Sequence, residues 1–95
     1  MVDHTVGILK ALADDTRIAI VRELIGGREL RTQELTKKFT LSQPTLSHHF
    51  ALLVDAHILN ATKEGSYWVY SLNDEYLTRI GIDIQKLAYA KHAHD

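Results

Sequence analysis

Hydrophobic residues recur every three or four positions along most of the chain and alternate in only one stretch, residues 58–72. The first period is that of a helix packed on one face, the second that of a half-buried strand. Val6, Leu9 and Leu12/Ala13 predict a first helix, with Asp3 as its cap. Asp14 predicts a new N-cap, with Asp15 in the positive first turn of a helix that carries Ile18, Val21, Leu24 and Ile25 and stops at Gly26-Gly27. Thr32 is read as the cap of a short third helix holding Leu35 and Phe39, followed by a brief turn, Thr40-Leu41-Ser42. Ser42 caps a fourth helix, and Pro44 sits in its first turn, where a missing N–H is harmless. Leu46, His49, Phe50 and Leu53 mark its inward stripe, and it runs out near Ala56-His57.

Ile58–Lys63 and Tyr67–Leu72 read as two strands around a Glu64-Gly65 turn. An even-length loop puts Leu59 and Ala61 on the face of Trp68, Tyr70 and Leu72; an odd one would mix Lys63 and Ser71 into it. A slip of one residue swaps every side chain between faces, so the even loop is expected, with Trp68 and Tyr70 in the core. Asn73 or Asp74 then caps a last helix with the stripe Leu77, Ile80, Ile84, Leu87 and the small residues Gly81 and Ala88 beside it. The expected fold is mainly α with a small β-hairpin: four helices, two strands and a fifth helix, in one domain spanning residues 1–95. A short helix, a tight turn and a helix with a polar outer face make a helix-turn-helix, and the hairpin behind it is a wing.

The outer face of the fourth helix sharpens that reading. Gln43, Thr45, Ser47 and His48 are short or medium polar side chains that can both donate and accept hydrogen bonds, as paired base edges in the major groove require. A face selected for solubility alone more often carries Lys and Glu. The chain as a whole has a net charge of −1, which excludes a strongly basic tail and an acidic disordered segment but not a local basic face. Between Arg28 and His49, four basic residues (Arg28, Arg31, Lys37, Lys38) stand against two acidic ones (Glu29, Glu34), a local balance of +2. Phosphate contacts are expected from Thr32, Lys37, Lys38, Ser42 and His49, and from the wing residues Lys63, Gly65, Ser66 and Tyr67. His48 and His49 point about 100° apart on a helix, so a metal site using both is not expected.

Composition removes other chemistry. With no cysteine there is no disulfide, no thiolate metal site and no thiol switch. No apolar run approaches the roughly 18 residues of a membrane span, and Met-Val-Asp-His-Thr does not open a secretory signal, so a cytoplasmic location is expected. There is no nucleophile–base motif, phosphate-cradling Gly loop or zinc-protease helix motif, hence no enzyme signature and no cofactor.

Three segments in order, Leu9-Lys10-Ala11-Leu12-Ala13-Asp14-Asp15-Thr16-Arg17, Leu41-Ser42-Gln43-Pro44-Thr45-Leu46-Ser47-His48-His49-Phe50, and Gly65 with Trp68-Val69-Tyr70-Ser71-Leu72, resemble the ArsR/SmtB family over roughly residues 6 to 90. The resemblance implies a dimeric winged-helix repressor on an inverted-repeat operator in double-stranded DNA. It also implies pairing of first and last helices across a two-fold axis, through Val6, Leu9, Leu77, Ile80, Gly81, Ile84 and Leu87. The family's Glu-Leu-Cys-Val-Cys-Asp-Leu metal box reads Glu29-Leu30-Arg31-Thr32-Gln33-Glu34-Leu35 here, without either thiolate. At the last-helix zinc positions stand Asp74, Tyr76, Leu87 and Ala90, of which only the aspartate is a ligand. The expectation is therefore a metal-independent member, its small-molecule or protein inducer undefined. The alternatives are a winged-helix module that binds protein, a metal-responsive repressor using His4, His92 and His94, and a dimerisation domain cut from a larger enzyme such as a methyltransferase.

Overall fold

The computed structural model describes residues 4–90. Six helices and three strands follow in the order α1 (Thr5–Leu12), α2 (Asp15–Leu24), β1 (Leu30–Arg31), α3 (Thr32–Lys38), α4 (Gln43–Asp55), β2 (Leu59–Glu64), β3 (Tyr67–Leu72), α5 (Asp74–Arg79) and α6 (Ile84–Ala88). The helices form one layer around a core of Ile20, Val21, Leu24, Leu35, Leu46, Phe50, Leu53, Ile58 and Leu77, closed on one side by the sheet. Phe50 of α4 meets Tyr70 of β3 with ring centroids 4.7 Å apart, so α4 and the hairpin are packed together. No polar or charged residue among those described is buried. None of their helices is long and apolar enough to cross a membrane.

The caps decide where helices begin. The Asp14 carboxylate accepts the Arg17 N–H at 3.0 Å, and the Ser42 hydroxyl accepts the Thr45 N–H at 3.3 Å, both as the sequence predicts. The third cap differs. Arg31, not Thr32, is the N-cap of α3, and because its guanidinium has no acceptor only Glu34 closes the turn, taking the Arg31 N–H at 2.9 Å. Residue His4 precedes α1 without a side-chain cap; Asp3, the expected cap, lies outside the described residues.

The hairpin has the even register. Leu59 faces Leu72, Ala61 faces Tyr70, and Lys63 faces Trp68 across a two-residue loop, Gly65-Ser66. Gly65 has φ +63° at the first loop position, the geometry of a type II′ turn, which asks for glycine there. Trp68 corrects the expectation of a core residue: its parity is that of Tyr70 and Leu72, but it lies beyond the core toward the tip and is 44% exposed, with Lys63 Nζ 6.0 Å from its ring. A third strand was not expected. β1 pairs with β3, Leu30 opposite Tyr70 and Arg31 opposite Val69, giving the order β1-β3-β2; two residues carry no alternation to read.

The expected single last helix is two. α5 ends in a Schellman motif: the Gly81 N–H donates to the Thr78 carbonyl (3.0 Å) and the Ile82 N–H to the Leu77 carbonyl (2.9 Å), with Gly81 left-handed at φ +87°. Asp83 then caps α6 through the Lys86 N–H at 3.0 Å. The break turns the stripe inward at two points. Leu77 and Ile84 are buried in the chain's own core, which corrects their assignment to a partner surface. Gly81 serves as the terminator of α5.

Candidate DNA-binding face

α4 buries Leu46, Phe50 and Leu53 and turns Gln43, Thr45, Ser47 and His48 to solvent, so the four expected base-reading residues lie together on one exposed face. Their availability differs. The Thr45 hydroxyl oxygen accepts from the Ser42 hydroxyl at 2.9 Å, which ties both to the helix start. Among the described residues, Gln43, Ser47 and His48 make no side-chain hydrogen bond. α3 precedes α4 across the short link Phe39–Ser42, the spacing that lets one helix cross a backbone while the next enters a groove.

The expected phosphate residues divide three ways. Lys37 and Lys38 are exposed in the last turn of α3, but Lys38 Nζ stands 3.1 Å from Glu23, which also pairs with Arg28 at 3.7 Å. Lys37 has no ion pair among the described residues and is the freer cation of the two. Thr32 is half-buried, its hydroxyl donating to the Trp68 carbonyl at 3.4 Å, so it fastens α3 to the wing. At the wing, Lys63, Gly65 and Ser66 are exposed, while Tyr67 is half-buried under the Arg31 guanidinium, 4.5 Å from the ring centroid.

His49 points away from the exposed face. Its Nδ1 lies 3.0 Å from Arg17 Nη1 and 3.8 Å from Asp14 Oδ2. Sequence reasoning placed Asp14 as a cap and Arg17 within a motif but saw no link from either to α4, because residues 14 and 49 meet only through the fold. The Asp14 carboxyl is held below its ordinary value, chiefly by the Arg17 backbone N–H and against a partial desolvation, with further help from the Arg17 and His49 charges. A carboxylate with a depressed folded pKa contributes stability above its unfolded value, near 3.8, and that contribution is lost as pH falls. Replacing Asp14 by Asn should therefore flatten the acid limb of a thermal-stability profile below about pH 5, while an unchanged limb would remove Asp14 from the account.

The first and last helices carry exposed apolar side chains. Val6 (57%), Leu9 (55%), Leu87 (43%) and Tyr89 (54%) are exposed, and Ile80 is exposed at the end of α5. Leu9 and Leu87 line one cleft of about 350 Å³ with Ile18 and Arg22, so the first and last helices present a joint surface. Arg22 locks that arrangement by donating to the Ala88 carbonyl at 2.6 Å. Of the terminal histidines, His92 and His94 lie outside the described residues, and the His4 ring packs edge-on against His57 with centroids 6.3 Å apart. No cluster of three or more metal-ligating side chains occurs among the described residues.

A polar helix face projecting beside a hairpin, both braced by one core, defines a winged helix-turn-helix of the DNA-binding kind. Residues 14–61 match the family described as bacterial regulatory protein, arsR family. The arsenical resistance operon repressor of Staphylococcus xylosus is 42% identical over 73 residues, covering 77% of this chain and 69% of that protein. HlyU from Vibrio cholerae N16961 superposes with a TM-score of 0.75 at 31% identity, over 93% of this chain and 94% of the other. A homodimeric winged helix-turn-helix DNA-binding domain from Mycobacterium bovis shares the fold at a TM-score of 0.76 and 24% identity, over 98% and 87%. The chain belongs to the ArsR family; it is a transcription regulator and not an enzyme.

Proposed function

We propose that this protein is a homodimeric repressor that reads an inverted-repeat operator with α4 and answers to no metal ion. The observation that carries the reading is the uncharged polar face of α4, exposed over its first two turns and opposed by a fully buried stripe. Gln43, Ser47 and His48 supply donors and acceptors to base edges, and Lys37 and the wing residues Lys63 and Ser66 supply backbone contacts. The Val6, Leu9, Leu87, Tyr89 surface pairs two copies so that two reading helices face successive major grooves. Bound across a promoter, such a dimer excludes polymerase.

Specificity and affinity then separate by residue. Gln43→Ala or Ser47→Ala should weaken a cognate duplex by about 1–3 kcal/mol and leave a scrambled duplex nearly untouched. Lys37→Ala should weaken both alike and lower the salt slope by about one unit. Titration of each variant against both duplexes at several salt concentrations decides it. Unchanged discrimination in Gln43→Ala and Ser47→Ala would remove α4 as the reader, and salt-insensitive binding would favour a protein-binding module.

Metal independence rests on Arg31, Gln33, Tyr76, Leu87 and Ala90 standing at the family's ligand positions. Zinc, cadmium and arsenite should leave operator affinity unchanged. Calorimetry that finds a stoichiometric, tightly bound metal able to release DNA would overturn this.

A further inference from the structure

The Arg17 guanidinium joins three helices. From α2, its Nε donates to the Ala11 carbonyl at 2.6 Å and its Nη2 to the Lys10 carbonyl at 3.3 Å, both in the last turn of α1. Its Nη1 lies 3.0 Å from Nδ1 of His49, in the second turn of α4. A guanidinium has donors only and keeps its proton, so this last contact is a hydrogen bond only when Nδ1 presents a lone pair. In the tautomer that carries its proton on Nε2, Nδ1 presents that lone pair to Arg17. The His49 side chain is 14% exposed, so water is a poor substitute partner. The charged and titratable groups set against it are Arg17 of α2, the Asp14 carboxylate at the α1–α2 joint, 3.8 Å from Nδ1, and the His48 ring of α4 itself, 6.2 Å between centroids. α1 meets the cluster through the two carbonyls.

We propose that Arg17 is a positioning residue for the DNA-reading helix: through a neutral His49 it locks α4 to the end of α1, and the lock opens when His49 takes up a proton. Protonation places an N–H on Nδ1, so two donors and two positive charges face one another where a hydrogen bond had been. The Asp14 carboxylate is then the ring's remaining acceptor, and turning toward it draws His49 away from Arg17. Ser47 and His48 immediately precede His49, so movement of that ring displaces the base-reading face. α1 also carries exposed Val6 and Leu9, so Arg17 adds a polar link between the partner-facing helix and the DNA-facing one. The inference rests on α4 being the DNA reader.

The test uses a duplex recovered by selection from a random pool, with affinities measured by fluorescence anisotropy at constant ionic strength. All proteins carry His48→Asn, which takes the neighbouring imidazole out of the comparison. With His49 intact, affinity should fall by about tenfold between about pH 7.5 and 5.5. His49→Asn sets an acceptor that does not titrate near the Nδ1 position; it should keep affinity at about pH 8 within roughly threefold and lose less than about twofold on acidification. Arg17→Lys, which keeps the charge but not the fork, should lose affinity by roughly tenfold at about pH 8, with little further fall in acid. Parallel pH profiles with and without His49 would overturn the proposal, as would full affinity in a natively folded Arg17→Lys protein. If the His48→Asn protein binds no selected duplex although the unmodified protein does, His48 is a required reader and the same three variants are compared in the unmodified background. If the unmodified protein binds none, the DNA reading itself fails and takes this inference with it.

Discussion

Leu9→Asp and Leu87→Asp should each turn a dimer into monomers at micromolar concentration and lower operator affinity by about a hundredfold or more, because a monomer engages one half-site without the second tethered to it. The two residues sit on different helices, line the same cleft, and are roughly half exposed in the protomer. A carboxylate at either costs the protomer little and places a charge in a desolvated contact of the dimer. Sedimentation equilibrium checks the assembly and anisotropy the affinity. A wild-type protein that sediments as a monomer would contradict the dimer outright. The choice of residues matters: Ile84→Asp would also abolish binding, but Ile84 is buried in the protomer, so its loss reports unfolding and not assembly.

The second large effect is on stability. Phe50→Ala should destabilise the fold by about 3–5 kcal/mol, the range for removing a buried aromatic ring. Phe50 is 1% exposed and is the α4 side of the 4.7 Å contact with Tyr70. For a domain whose stability is of order 5–15 kcal/mol, that leaves a measurable unfolded population. A urea midpoint that falls with an unchanged slope identifies the loss as one of stability. DNA binding should fall for cognate and scrambled duplexes together, the opposite of Gln43→Ala. A midpoint within the scatter of wild type would mean that α4 is braced elsewhere.

What the sequence made legible follows local physics. Caps at Asp14 and Ser42, the stop at Gly26-Gly27 and the even hairpin register each depend on a few neighbouring residues. So does the polar face of α4, since helical periodicity fixes which side chains oppose Leu46, Phe50 and Leu53. The failures need information from outside the segment. β1 exists because β3 has a free edge for Leu30 and Arg31, and two residues cannot signal that on their own. Trp68 has the parity of a core residue, but the core ends before it does, and alternation says nothing about where a sheet outruns its helices. The stripe Leu77, Ile80, Ile84, Leu87 continues in helical phase across Gly81, so periodicity favoured one helix while the backbone turned at a left-handed glycine. The Arg17–His49 contact joins residues 32 apart in sequence, beyond any local pattern.

Recognition of a DNA sequence through α4 is open to a direct test. Selection of bound duplexes from a random pool, run in parallel with wild type and Gln43→Ala, tests it most directly. Wild type should enrich an inverted repeat with half-sites about one helical turn apart, bound more weakly as salt rises, and Gln43→Ala should show a relaxed or lost preference in each half-site. A wild-type pool that remains random after repeated rounds, or one whose enriched sequence is indifferent to the α4 substitution, would contradict it.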